Sequence, residues 1–216
     1  ELGKNHIATL PNNLPKVNQI KEIDLFEELK DYASESQYKG RRKLSKVHNQ
    51  GEYLNYSWTN RKKPIKLKRF IKIGSKESHS LYRLLGAYVA EGSASTSETT
   101  RSRFGASMAS SDLKYLEQLK KDYENLFPNA KVSIIRSTKK QRTLNYGNKT
   151  INYEDKTYKL QMMNGISAVF FKELAGQTSQ YKKIPWFIFH SSKDLQKLFL
   201  DYAVFGDGYK RYNDKR

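Results

Sequence analysis

Apolar side chains recur at helical spacing in five parts of the chain. The predicted helices cover residues 19–33, 79–91, 111–127, 164–175 and 192–205. The second helix has its apolar residues at the i, i+3, i+4, i+7 positions that form one face: Leu81, Leu84, Leu85 and Tyr88. Ser78 is expected to cap this helix, Ser111 or Asp112 to cap the third, and Pro128 to mark the end of the third.

Strand-like alternation separates these helices. Residues 101–109 and 131–163 place apolar side chains between Lys, Arg, Ser and Thr, with a turn at Tyr146, Gly147 and Asn148. Another strand is predicted over 5–10. The order from 79 to 189 is therefore helix, strands, helix, strands, helix. That order predicts an α+β fold in which antiparallel strands carry helices on one face.

The net charge of the chain predicts a polyanionic partner. The chain has 40 Lys and Arg against 22 Asp and Glu, a net charge of +18. Such an excess favours nucleic acid, although a generically basic soluble protein is the alternative. No run of about 20 apolar residues and no signal peptide is found, so we expect no membrane partner and an intracellular location in cytoplasm, nucleoid or nucleus.

The chain has no Cys and only four His, none at zinc-ligand spacing. Disulfides and thiolate metal sites are therefore excluded. Any metal site must be built from oxygen ligands, which favours Mg²⁺ or another hard divalent cation.

Basic residues concentrate in two places. Residues 37–76 are rich in Lys and Arg and hold a single acid between Tyr38 and Lys76, so we interpret them as an arm or small subdomain that contacts DNA, with a solvated linker as the alternative. The predicted sheet supplies a second surface, because strands can follow the major groove of DNA. Its candidate DNA-binding residues are Arg101, Arg103, Lys131, Arg136, Lys139, Lys140, Arg142, Lys149, Lys156 and Lys159.

Two segments of the chain are similar to each other. LLGAYVAEG (84–92) and LDYAVFGDG (200–208) are apolar helices that end in a small residue, an acid and glycine. The glycine can end the helix with positive φ. The acids, Glu91 and Asp207, face the negative end of the helix dipole, which costs about 0.3–1 kcal/mol. Two such acids in matching positions indicate a bound cation.

These motifs resemble those of the LAGLIDADG homing endonucleases. The resemblance implies two helices side by side in a DNA-binding saddle, with Glu91 and Asp207 as metal-binding catalytic acids and the carbonyl groups of Ala90 and Gly206 as further ligands. The expected activity is site-specific hydrolysis of both strands of duplex DNA with Mg²⁺ or another divalent ion. A related DNA- or RNA-binding protein without cleavage activity, such as a maturase or a degenerate intein insert, is the alternative.

Two further segments resemble inteins that carry such an endonuclease. KKIP (182–185) matches the block before the second motif, which implies that Lys182 is an active-site lysine acting on the phosphate or the attacking water, with Lys183 as the alternative. ELGKNHIATLPNNLP (1–15) is similar to the end of an intein splicing region. A host protein flanking the intein would then be a partner.

The resemblance divides the chain into four parts. Residues 1–20 are expected to end a splicing region, and 21–76 form a small basic helical or linker region that contacts DNA. Residues 77–190 form the first repeat, whose αββαββα half-saddle is expected over 79–190, and 191–216 start the second. Only residues 209–216 follow the second motif, so we expect a fragment of a longer protein or a truncated form. Glu91 in place of the usual Asp, and Tyr202 in place of a small residue, depart from the family pattern.

Overall fold

A computed structural model describes residues 19–38, 41–56, 65–96, 104–136, 141–147, 149–154 and 156–207. Within these ranges the chain is a mixed α+β protein with antiparallel sheets. The helices are α1 (Leu25–Leu29), α2 (Lys76–Glu91), α3 (Leu113–Leu126), α4 (Gly165–Ala175), α5 (Trp186–Phe189) and α6 (Lys193–Asp207). The strands are β1 (Glu22–Asp24), β2 (Ala33–Tyr38), β3 (Arg41–Gln50), β4 (Tyr53–Tyr56), β5 (Leu67–Lys68), β6 (Phe70–Lys72), β7 (Gly92–Ser95), β8 (Gly105–Ser110), β9 (Ser133–Arg136), β10 (Gln141–Tyr146), β11 (Lys149–Glu154) and β12 (Tyr158–Met162).

The central sheet has four antiparallel strands in the order β7-β8-β12-β9. Successive side chains in a strand point to opposite faces. One face is buried against α2, α3 and α4 and includes Met108, Leu160 and Met162. The other face includes exposed Lys159 and Ile135, which are register partners. The predicted α+β class, with helices on one face of an antiparallel sheet, is confirmed.

Strands β10 and β11 form a separate two-stranded sheet, which we call the ribbon. Its register pairs Leu144 with Ile151, and these side chains are 52% and 50% exposed. The predicted turn includes Gly147 at φ 55°, a conformation that glycine adopts easily. Because large apolar side chains are left in water on both strands, the ribbon has little support from the core.

The predicted helix over 19–33 is wrong in most of its length. Only Leu25–Leu29 is helical, with the Asp24 side chain accepting a hydrogen bond from the Phe26 N–H at 2.9 Å. The reason is tertiary pairing: Ile23 lies opposite Ile71 in the antiparallel pair β1–β6. Of the apolar residues whose spacing suggested a long helix, Ile23, Leu29 and Tyr32 are buried, and Ile20 and Phe26 are partly buried. The same spacing therefore also fits a chain divided between a strand and a short helix.

Two details at the ends of α2 also differ from expectation. Ser75 is the cap instead of Ser78, and its side chain accepts from the Ser78 N–H at 3.1 Å. Gly92 has φ −82° and ψ 153°, so it starts β7 directly instead of making a left-handed stop. Glycine is needed there because a β-carbon would lie 2.1 Å from the Tyr88 ring.

The basic segment between Tyr38 and Lys76 contains strands instead of helix. Strands β2, β3, β4 and β5 form one antiparallel sheet, and β6 pairs with β1. Residues 57–64 lie outside the described part, as does the strand predicted over 5–10. Among the described helices, none has the length and apolar character needed to cross a membrane.

Candidate active site at two meeting helix ends

Helices α2 and α6 pack side by side through glycine. A β-carbon on Gly86 would lie 2.3 Å from the Phe199 carbonyl oxygen and 3.2 Å from the Ala203 nitrogen. One turn further along, a β-carbon on Gly206 would lie 2.8 Å from the β-carbon of Ala90. Because the contacts advance in the same direction on both helices, the helices run parallel and their C-terminal ends lie together.

Small residues occupy this crossing as the motifs predicted. Tyr202 departs from the family pattern, and the structure places it beside the crossing, half-buried, with its ring stacked on that of Tyr115 at 5.4 Å. Its carbonyl oxygen accepts a hydrogen bond from the Tyr115 hydroxyl at 3.0 Å. The larger side chain therefore leaves room for the backbones of α2 and α6 to approach.

Both motif acids belong to the meeting ends. Glu91 is the last residue of α2 and is exposed, and its Cγ would be 3.6 Å from a β-carbon on Gly206. Asp207 is the last residue of α6, although its side chain lies outside the described part. The structure thus brings together Ala90, Glu91, Gly206 and the main chain of Asp207.

Lys182 reaches the same place from the segment after α4. Its Nζ donates hydrogen bonds to the carbonyl oxygens of Tyr88 at 2.5 Å and Gly92 at 2.8 Å. Burial lowers the pKa of Lys182 to about 8, against an opposing attraction to Glu91. Lys183, the alternative, is exposed.

Tyr115 was missed in the sequence. Burial raises its pKa above the usual range for tyrosine, and the nearby charge of Tyr202 and then that of Glu91 act in the same direction. Its hydroxyl would be 3.7 Å from a β-carbon on Gly206. In the sequence Tyr115 occupies an ordinary position in an amphipathic helix, which gives no signal of a place beside the acids.

The donor atoms at the helix ends suit a hard cation. They are the Glu91 carboxylate and main-chain carbonyl groups, and oxygen-only sets favour Mg²⁺ and similar ions. Among the residues that the structure describes, no cluster of three or more His, Cys, Asp or Glu could hold a metal.

A polar network fixes α2 against α3 below the site. Asp122 is 2% exposed and accepts two hydrogen bonds from Arg83, at 2.7 and 2.6 Å, and one from the Ser80 hydroxyl at 2.9 Å. The Arg83 guanidinium lies 5.9 Å from the centre of the Tyr202 ring. This network connects α2, α3 and α6.

The predicted DNA-binding residues do not share one surface. Lys159 is exposed on the open face of the central sheet, and Lys149 is exposed on the ribbon. Arg136 is exposed, but it pairs with Tyr158, and the alternation along β12 puts this pair on the same face of the sheet as buried Leu160. Lys131 and Lys156 are exposed just outside β9 and β12, and of Arg142 only the main chain in β10 is described. Four residues lie outside the described part: Arg101, Arg103, Lys139 and Lys140.

No protein-family model matches the chain, and no curated protein sequence matches it.

Proposed function

We propose that this chain is a LAGLIDADG-type, site-specific endonuclease that hydrolyses both strands of duplex DNA with divalent metal ions. The observation that carries the proposal is the close parallel contact of α2 and α6, which brings Gly206 against Ala90 and Glu91. Helix α2 ends at Glu91 and helix α6 ends at Asp207, and the C-terminal ends of these two closely packed helices lie side by side. The elements of the central sheet and its helices, α2, β7, β8, α3, β9, β12 and α4, follow the αββαββα order expected over 79–190, and the ribbon β10–β11 is an additional pair of strands between β9 and β12.

The chain's own residues have distinct parts in this proposal. Glu91 and Asp207, with the carbonyl groups of Ala90 and Gly206, would hold Mg²⁺ or a similar ion between the helix ends. When bound there, the ions would supply an activated water and stabilise the leaving oxygen of the phosphodiester. No side-chain nucleophile is needed, and the carboxylates would lie against the scissile phosphates of the two strands.

The DNA would lie along the open face of the central sheet and the ribbon. Lys159 and Lys149 would neutralise phosphates, and the ribbon has the two-stranded form that fits the major groove. On one face of the ribbon, Thr143 donates to Asn152 at 2.8 Å and Thr150 donates to Asn145 at 3.1 Å. Hydroxyl and amide groups of this kind form hydrogen bonds with base edges.

We further propose that the endonuclease belongs to an intein within an intracellular host protein. Support comes from the KKIP block and from the resemblance of residues 1–15 to a splicing region. Residues 1–18 lie outside the described part, so this proposal rests on the sequence. The four-part domain organisation is proposed on the same grounds.

Cleavage separates this function from binding alone. We expect a duplex-library digestion to give Mg²⁺-dependent double-strand breaks at a preferred site. Glu91→Gln and Asp207→Asn should abolish cutting while duplex affinity stays unchanged. If the unaltered chain binds duplex DNA tightly but cuts none of the library, a DNA- or RNA-binding protein without cleavage activity, such as a maturase or degenerate insert, replaces the endonuclease.

A further inference from the structure

The end of α2 has an unusual arrangement of charges. Its last turn has no basic residue and finishes on Glu91, so a carboxylate lies at the negative end of the helix dipole. Gly92 continues directly into β7, which leaves carbonyl groups of the last turn without helical partners. A cation held close to this end would offset the negative charge there.

Lys182 supplies that cation. Its Nζ lies 3.4 Å from the centre of the Tyr88 ring and donates to the Tyr88 and Gly92 carbonyl oxygens, which lie on either side of Glu91 along the chain. Two of its three N–H groups are thus used by main-chain oxygens of the helix end. The Tyr88 carbonyl also accepts from the Gly92 N–H, so Lys182 adds a second donor to the last helical acceptor of α2 and ties it to the first residue of β7.

Hydrogen bonds of the segment between α4 and Lys183 hold Lys182 in this position. The Lys183 N–H donates to the Ala175 carbonyl oxygen at 3.1 Å, and the Tyr88 hydroxyl donates to the Gly176 carbonyl oxygen at 2.8 Å. Gly176 has φ +88°, and a β-carbon on it would lie 1.8 Å from the Tyr181 carbonyl oxygen. The segment from α4 to Lys182 is therefore folded tightly back onto the end of α2.

We infer that Lys182 is a positioning residue that closes the C-terminal end of α2 and sets the direction of Glu91, instead of contacting the scissile phosphate or the attacking water. The effect on cleavage rests on the proposed endonuclease function. The effect on the helix end does not. Removal of outer partners of metal ligands typically costs about 10–100-fold in metal affinity or activity.

The first test uses the full chain without DNA. Lys182→Met removes the ammonium and keeps a long side chain, and Lys183→Met, next to it and exposed, is the matched control. We expect the Gly92 amide to exchange with solvent about tenfold faster or more in Lys182→Met, and at the wild-type rate in Lys183→Met. Equal Gly92 exchange in all three proteins would overturn the inference. If Lys182→Met does not fold, the next measurement decides on the unaltered chain.

The second test follows the ¹⁵Nζ resonance of Lys182 when duplex DNA and Ca²⁺ are added to the unaltered chain. Ion binding at Glu91 would shift this resonance in either case, so the deciding observable is a coupling across a hydrogen bond between the Lys182 ¹⁵Nζ and a DNA ³¹P nucleus. A positioning lysine keeps its two carbonyl partners and should show no such coupling. A resolved coupling would show contact with phosphate and overturn the inference.

Where a cleavable duplex is known, Lys182→Met should lower kcat and raise the half-saturating Mg²⁺ concentration about 10–100-fold. KM for DNA and the salt dependence of binding should not change. A salt slope that becomes shallower by about 0.9 would assign Lys182 to a phosphate instead. If the unaltered chain cuts no duplex, the proposed function fails, while amide exchange and the coupling of Nζ to phosphorus still decide the position of Lys182.

Discussion

Gly86 lies directly against the main chain of Phe199, so closely that a β-carbon on Gly86 would be 2.3 Å from the Phe199 carbonyl oxygen. Real β-carbon contacts to a fixed backbone are not that short, so any other residue at 86 forces α2 and α6 apart. The distance between the two helix ends, and hence the geometry of the candidate metal site, depends on this glycine.

Gly86→Ala is therefore expected to destabilise the chain by about 1–3 kcal/mol, the usual cost of adding a methyl group to a packed interface. Urea denaturation followed by circular dichroism measures it. Val204→Ala is the matched control, because Val204 is on α6 but 50% exposed, and its effect should stay within about 0.5 kcal/mol. Equal stabilities for the two variants would contradict the packing described for α2 and α6.

Much of this helix pair could be predicted from the sequence. The two motifs gave helices ending at Glu91 and Asp207. The apolar residues located α3, which buries one face, and α4, which is buried over most of its length. Helix α1 could not be predicted correctly, since the residues just before it form β1, which pairs with the distant strand β6 from Glu22 opposite Lys72 to Asp24 opposite Phe70. Spacing along the chain carries no information on such pairings.

The contacts within the candidate site could not be predicted from the sequence. A KKIP block indicates that a lysine matters, but not that Lys182 donates to main-chain oxygens, because every residue presents the same carbonyl group. Tyr115 depends on the placement of α3 beside α6, which only the packed structure shows. Basic residues of the strands were identified, yet their division between the two sheet faces follows from the register of β9 with β12.

Phosphate contacts by the sheet and ribbon can be tested through salt. Each phosphate neutralised contributes about −0.9 to the slope of log affinity against log salt on duplex DNA. Lys149→Ala and Lys159→Ala should each make the slope shallower by about 0.9, measured by fluorescence anisotropy without divalent ions. Lys197→Ala, whose side chain on α6 is 79% exposed, should leave the slope unchanged. Unchanged slopes for Lys149 and Lys159 would remove these strands from the DNA surface.

The pH dependence of stability should reveal the burial of Lys182. Burial lowers its pKa to about 8 in the folded chain, below the 10.5 of a free lysine. Between these values the unfolded chain binds more protons, so stability from this group rises with pH across the window and levels off above it. The stability of the unaltered chain minus that of Lys182→Met should therefore increase from pH 8 to 10.5. Parallel curves would mean that the amine is fully solvated.

We propose that Glu91 and Asp207 bind one set of divalent ions at the meeting ends of α2 and α6. Electron paramagnetic resonance of Mn²⁺ titrated into the chain measures this without DNA or cleavage. The matched control is Asp201→Asn, which removes an exposed acid from the same helix as Asp207.

We expect the unaltered chain and Asp201→Asn to bind Mn²⁺ alike. Glu91→Gln and Asp207→Asn should each lose about tenfold or more in affinity, because even outer partners of a metal typically change affinity 10–100-fold. If Mn²⁺ binds equally to all four proteins, or binds none of them, the two acids do not form a metal site.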